Sequence, residues 1–214
     1  IMEAVRKGRG LPEGAEEEMK AAGVPEWYIG SCKKIKYLFP KAHAVAYVMM
    51  AFRIAWFKVY YPLAFYAAYF YRRSQKGGFD AVLMTGGKES IMANMDAIEN
   101  NENATDKDED LLTTMEVVYE YYLRGFDFLP IDIYKSHATK FLVEDGKILP
   151  PFVAISGLGE NAAWDLMRGR EGKTFLSVEE VAAACPKVSK THIQMLKDAG
   201  AFGSLPDTSQ ISLF

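Results

Sequence analysis

The chain has 214 residues, half of them hydrophobic, with 25 Lys or Arg against 28 Asp or Glu, a formal charge of −3 and two cysteines. That is enough apolar material for one large core or two smaller ones. It excludes a disulfide-stapled scaffold, because Cys32 and Cys185 lie far apart; neither sits in a C-x-x-C or Cys/His cluster, so no zinc site or redox pair is expected and a reduced, intracellular setting fits.

The first residue is Ile, and IMEAVRKGRGLPEG lacks the charged-then-apolar layout of a signal peptide, so the chain reads as a segment of a longer protein. Residues 1–40 give a basic start and two short helices, PEGAEEEMKAAG and PEWYIGSCKKIKYLF. The second gathers Lys33, Lys34 and Lys36, either a solvated face or a phosphate contact. KAHAVAYVMMAFRIAWFKVYY is a long helix, apolar on nearly every side, which predicts a place at the centre of the core. PLAFYAAYFYRRSQKGG is a second buried helix, opened by Pro62 and closed by Arg72 and Arg73 before a Gly77-Gly78 break. Arg53, Lys58 and Pro62 interrupt this apolar region before it reaches the ~18–20 uncharged residues of a membrane span, so no membrane partner is expected.

Between Lys88 and Glu120 ten acids face two bases, a local charge of −8 that leaves +5 on the remainder, so contact with nucleic acid elsewhere stays open. Amphipathic helices are predicted over 88–103 and 108–124. Polar ATDK separates them, and the DKDED run in front of the second apolar-periodic stretch is a helix N-terminus favoured by the macrodipole, with no metal assigned to it. In GFDFLPIDIYKSHATKFLVEDGKILPPF the period changes from helical to alternating, with a hairpin turn at Asp145-Gly146. Asp127 and Asp132 lie in this stretch, but nothing makes them a two-metal pair, so no catalytic residue is assigned.

The next stretch, PPFVAISGLGENAAWDLMRGREG, runs from a short apolar turn through SGLG into a helix. Gly157, Leu158 and Gly159 form a G-x-G at a helix start, where a tight turn exposes successive N–H groups at the positive end of the helix, a fit for one backbone phosphate. A tight helix–helix turn needs the same glycines. FLSVEEVAAACPKVSKTHIQMLKDAGAFGSLP adds two short helices with Ser177 and Ser189 as N-caps and Gly200 at a C-terminus. Residues 149–206 therefore read as paired helical hairpins and resemble a tandem helix-hairpin-helix module, which grips duplex backbone without reading sequence, with Lys187 and Lys190 supplying charge.

The segments FPKAHAVAY, RIAWFKVYYP, RGFDFLPIDIYKSHATKFLV, ILPPFVAISGLGENAA and SLPDTSQISLF, in this order and spacing, resemble the C-terminal end of the PolC-type DNA polymerase III alpha subunit, the family C replicase of low-GC Gram-positive bacteria. The likeness covers essentially the whole chain. It implies a mainly α fold: a fingers segment over 1–148 with a small hairpin, a tandem helix-hairpin-helix module over 149–206, and a clamp-binding tail over 207–214. The palm and proofreading exonuclease would lie upstream, so the resemblance implies an intact nucleotidyltransferase whose Mg2+ ligands are outside this chain, no cofactor held here, and no polymerase activity for this piece alone. Its implied partners are primer–template duplex DNA, a deoxynucleoside triphosphate and the beta sliding clamp, in the cytoplasm.

The resemblance also sharpens three residue groups. His43 and Tyr47 are four apart on one helix face; with Lys41 they offer a cation, a hydrogen-bonding ring and a stacking surface to an incoming nucleotide, where without the resemblance a buried His–Tyr pair is the plainer reading. Arg53, among apolar neighbours, is expected to meet an anion, either a core carboxylate or a phosphate. Gln210, Ile211, Leu213 and Phe214, around Ser212, resemble the clamp-docking peptide of replicative polymerases; the alternative is a tail tucked against its own bundle. The acidic 80–110 region matches no functional motif and is read as scaffold. The competing function is a non-enzymatic, clamp-recruited DNA-binding adaptor of no polymerase ancestry, which would have no reason to place Lys41, His43, Tyr47 and Arg53 on one apolar helix.

Overall fold

A computed structural model describes residues 1–209; the peptide expected to dock on the clamp, from Gln210 onward, lies outside the described residues. The chain forms two compact units, Ile1–Trp56 and the remainder from Phe57. The first holds α1 (Met2–Arg6), α2 (Ala15–Ala21) and α3 (Glu26–Lys34), and α4 (Lys41–Tyr60) begins in it. Its core is small: Val5, Met19, Ile29 and Cys32, with Leu11, Val24 and Ile35 packed around them. Glu16 of α2 accepts hydrogen bonds from Lys20 at 2.8 Å and pairs with Lys33 at 2.6 Å. These two cations hold its carboxyl down to about 2. Of the three clustered lysines, Lys33 thus ties α3 to α2, while Lys34 and Lys36 stay on the surface.

The expectation that α4 lies at the centre of the core is wrong. None of its residues is buried, with Tyr47 67% and Phe52 74% exposed. An all-round apolar pattern says that a helix wants apolar surroundings on every side; it does not say that this stretch of chain supplies them. By length and hydropathy α4 is also the one helix among the described residues that could cross a membrane. Against that, Arg53 sits in its interior, where insertion costs about 2.5–3.5 kcal/mol. Lys58, further on, is already engaged within the second unit: it donates to Glu120 at 2.7 Å, and Glu120 also accepts from the Tyr66 hydroxyl at 3.0 Å.

The second unit contains α5 (Pro62–Ser74), α6 (Ala81–Met84), α7 (Lys88–Glu99), α8 (Asp106–Leu123), a hairpin of β1 (Leu142–Glu144) and β2 (Lys147–Leu149), a 3-10 turn (Phe152–Ala154), and α9 (Glu160–Arg170), α10 (Val178–Ala184) and α11 (Lys190–Asp198). The fold is mainly α, as expected. α8 opens with a capping box in which the Thr105 hydroxyl and the Asp108 side chain reciprocally accept backbone N–H groups, so DKDED is a helix start. The antiparallel hairpin pairs Leu142 with Leu149 and Val143 with Ile148, and its two-residue turn places Asp145 at φ +50° and Gly146 at φ +75°, both left-handed, as an Asp-Gly turn requires.

One hydrophobic cluster runs from Tyr66 to Phe202, and the sequence-expected division at 148/149 falls inside it. Phe70 is at its aromatic centre, its ring within 6.0 Å of those of Tyr66, Phe79, Tyr121, Phe128 and Phe141. The extended segment after α8 is tied to the hairpin and to the chain beyond α11: the Leu129 N–H donates to the Ile148 carbonyl at 2.8 Å, the Ser136 hydroxyl to that of Pro150 at 2.9 Å, and the Ile133 N–H to that of Ala201 at 2.9 Å. Asp127 and Asp132 serve this local geometry. Asp127 pairs with Lys147 at 2.9 Å, and Asp132 accepts the N–H groups of Tyr134 and Lys135.

Candidate nucleic-acid interface

The site is built around α9. Ile155 and Leu158, each 3% exposed, pin the chain to the core on either side of Ser156 and Gly157, which loop outward. Gly157 has φ +89°, and an added Cβ there would meet the Met195 Cε at 2.8 Å. Gly159 is the N-cap of α9, and its carbonyl accepts from Ala162 and Ala163 at 3.1 Å. The N–H groups of Gly157, Gly159, Glu160 and Asn161 have no acceptor among the described residues. Four N–H groups at the start of an 11-residue helix form a cradle for an anion. A cleft of about 270 Å³ opens beside it, lined by Ser74, Asp80 and Lys107 as well as by residues of the turn itself. Nothing in the sequence singled out Lys107, a lone base inside the acidic run.

The turn between α10 and α11, Cys185–Ser189, is the second hairpin. The Ser177 hydroxyl accepts from the Glu180 N–H, and that of Ser189 from the His192 N–H, capping the two helices as expected; Gly200 follows α11 at φ +71°. Buried Asp165 of α9 accepts the Lys187 N–H at 2.8 Å and so locks the second hairpin to the helix that carries the first. With that N–H taken, and the Ser189 N–H donated to His192, the second hairpin offers charge instead of backbone donors. The ammonium groups of Lys187 and Lys190 are on exposed residues and pair with no carboxylate among the described residues. α9 approaches α10 closely because Gly169 has no side chain: a Cβ there would lie 2.3 Å from the Cys185 sulfur. Burial pushes the Cys185 thiol up to about 11.

The residues expected to meet a nucleotide all lie on α4 and are all exposed. His43 stacks on Phe39, ring centroids 4.9 Å apart and 6° between planes, and meets Tyr47 at 4.6 Å. The buried His–Tyr reading is thereby excluded, and Phe39, which the sequence did not single out, joins the group. Lys41 and Arg53 are not brought to it. Twelve residues separate them, about 18 Å of helix. Arg53 is not buried, and it has no carboxylate within ion-pair distance among the described residues.

One turn leads from the 3-10 segment into α9 and presents N–H groups, the other joins the capped helices α10 and α11 and presents lysines, and residues 125–210 match the helix-hairpin-helix motif family. That match starts at the extended segment following α8, whose Ile133 carbonyl accepts from Arg170 of α9 and whose Ile133 N–H donates to Ala201 beyond α11. Over its whole length the chain is 52% identical to the PolC-type DNA polymerase III of Caldanaerobacter subterraneus subsp. tengcongensis, 51% identical to that of Thermotoga petrophila and 50% identical to that of Bacillus cereus, and it spans 15% of the length of each. The chain belongs to the PolC-type DNA polymerase III family. An adaptor of no polymerase ancestry is excluded by that full-length similarity.

Proposed function

We propose that this chain is the part of a replicative DNA polymerase that holds the primer–template duplex by its sugar-phosphate backbone. The observation that carries this reading is the set of N–H groups at Gly157, Gly159, Glu160 and Asn161 that have no acceptor among the described residues. The first hairpin takes a phosphate on these donors, and the second adds Lys187 and Lys190. Contacts of this kind fix position on the duplex and carry no sequence information. Changing Gly157→Ala and Gly159→Ala together lowers duplex affinity about tenfold, the scale of one lost hydrogen bond to a charged group, and does so equally for unrelated sequences. Anisotropy titrations of labelled duplexes measure this, with circular dichroism to show that the variant folds. Unchanged affinity in a folded variant refutes the assignment.

In the intact polymerase the functional division is fingers over 1–148, duplex grip over 149–206 and clamp-binding tail over 207–214. The parent extends a primer with deoxynucleoside triphosphates in the cytoplasm, using Mg2+ held by carboxylates outside this chain, and this chain alone does not polymerise. His43 and Tyr47, with Phe39 behind them, present a ring surface to the incoming nucleotide; Lys41 and Arg53, about 18 Å apart along α4, are separate cations suited to nucleotide or template phosphates, and not both to one triphosphate. Gln210, Ile211, Leu213 and Phe214 dock on the beta sliding clamp, with the two large apolar side chains as anchors. Deleting residues 210–214 abolishes clamp binding and leaves the melting midpoint unchanged. A lowered midpoint with clamp binding retained would make the tail part of the fold instead.

A further inference from the structure

At the far end of α9 from the first hairpin lies a larger cleft, of about 780 Å³, which the duplex grip does not use. Its walls combine the rings of Tyr134 and Trp164 with the cations of Arg168, Arg170 and Lys173, against a single acid, Glu171. Both rings are held in place. Tyr134 accepts the Phe175 N–H at 3.0 Å and stacks on the Phe175 ring at 6.1 Å, 29° between planes. Trp164 meets the His137 ring edge-on at 5.3 Å, and its indole N–H donates to Glu160 at 3.3 Å. Arg170 belongs to the wall: it donates to the Ile133 carbonyl at 2.6 Å and lies over the Phe152 ring.

The other two cations face outward. The Arg168 side chain is 60% exposed and reaches a carboxylate, that of Asp165, only at 3.7 Å. Lys173 is exposed and pairs with no carboxylate among the described residues.

Cations alone suffice to hold duplex DNA, whose bases are stacked inside and show no ring face to a concave site. Rigid aromatic rings beside loosely engaged cations fit an unpaired strand, which offers ring faces and phosphates together. We infer that this cleft binds single-stranded nucleic acid, with bases against Trp164 and Tyr134 and phosphates on Arg168 and Lys173. Trp164 lies one turn past Glu160 of the first hairpin, whereas Arg168 is eight residues along α9, about 12 Å, so the charge reversal at Arg168 and Lys173 separates the two sites. The inference does not depend on the duplex grip being correct.

The test titrates the full chain with labelled oligo(dT) and, separately, with a blunt duplex, comparing the unaltered protein, Arg168→Glu/Lys173→Glu and Trp164→Leu. The charge reversal involves two exposed side chains and keeps the fold, checked by circular dichroism. Oligo(dT) affinity is expected to fall about tenfold in either variant, as for the loss of one stacked base or its phosphate contacts, with duplex affinity unchanged in the charge reversal, whose side chains do not touch the first hairpin. Oligo(dT) affinity unaltered by the charge reversal overturns the inference. So does an equal loss on both DNAs, which would make the cleft part of the duplex surface. Competition by inorganic polyphosphate as effective as that by unlabelled oligo(dT) also overturns it, since a site without use for bases is only an anion cleft.

Discussion

Replacing Phe70 with Ala lowers the stability of the second unit by about 3–5 kcal/mol, the range for removing a fully buried ring without collapse of the space left behind. Collapse is resisted here because the surrounding side chains, Tyr66, Phe79, Tyr121, Phe128 and Phe141, are themselves stiff rings packed against one another. For a unit of this size the loss corresponds to a drop of roughly 6–20 °C in melting midpoint. The control is Phe52→Ala on α4. It removes the same ring from a residue 74% exposed and leaves the midpoint where it was. A thermal melt followed by circular dichroism decides both, and equal effects from the two changes would contradict the burial pattern.

Gly169→Ala is the second large effect, and its sign runs against helix propensity. In the interior of a helix Ala is favoured over Gly by about 1 kcal/mol. At this position the new Cβ would lie 2.3 Å from the Cys185 sulfur and 3.0 Å from the Ala184 carbonyl oxygen. The sulfur is buried and the carbonyl belongs to the end of α10, so relief requires moving one helix off the other, at about 1–3 kcal/mol. The clash exceeds the propensity gain, and stability falls. Cys185→Ala removes the nearer obstacle, so the double change costs less than the two single changes added together. Because α9 carries the first hairpin and the chain following α10 forms the second, displacement also weakens duplex binding. A raised midpoint for Gly169→Ala would mean that the helices stand further apart than described.

The parts of this fold legible in the sequence carry their own local chemistry. Pro62 opens α5 and Arg72 with Arg73 closes it; Asp145-Gly146 makes its turn; Ser177 and Ser189 cap their helices; the acids of DKDED start α8. Each is a short-range rule acting within one turn of chain. What was not legible depends on groups brought together from a distance. The surroundings of α4 could not be read, because apolar side chains on all faces give no direction. α6 has four residues, too few for a period to show. The bond from Lys187 to Asp165 and the contact of Gly169 with Cys185 join segments whose sequences announce neither. In the candidate interface the glycines of SGLG were visible because a left-handed turn demands one of them, whereas Lys107 occupies its place through tertiary structure alone.

Salt dependence tests the backbone grip most directly. Duplex affinity is measured over a series of salt concentrations for the unaltered chain and for Lys187→Ala/Lys190→Ala, with two duplexes of unrelated sequence. Each phosphate contact contributes about 0.9 to the slope of log affinity against log salt. Loss of both lysines is therefore expected to flatten the slope by about 1.8, identically for the two duplexes. A folded double variant whose slope equals that of the unaltered chain, or one whose loss depends on which duplex is used, would contradict a hairpin grip on the DNA backbone.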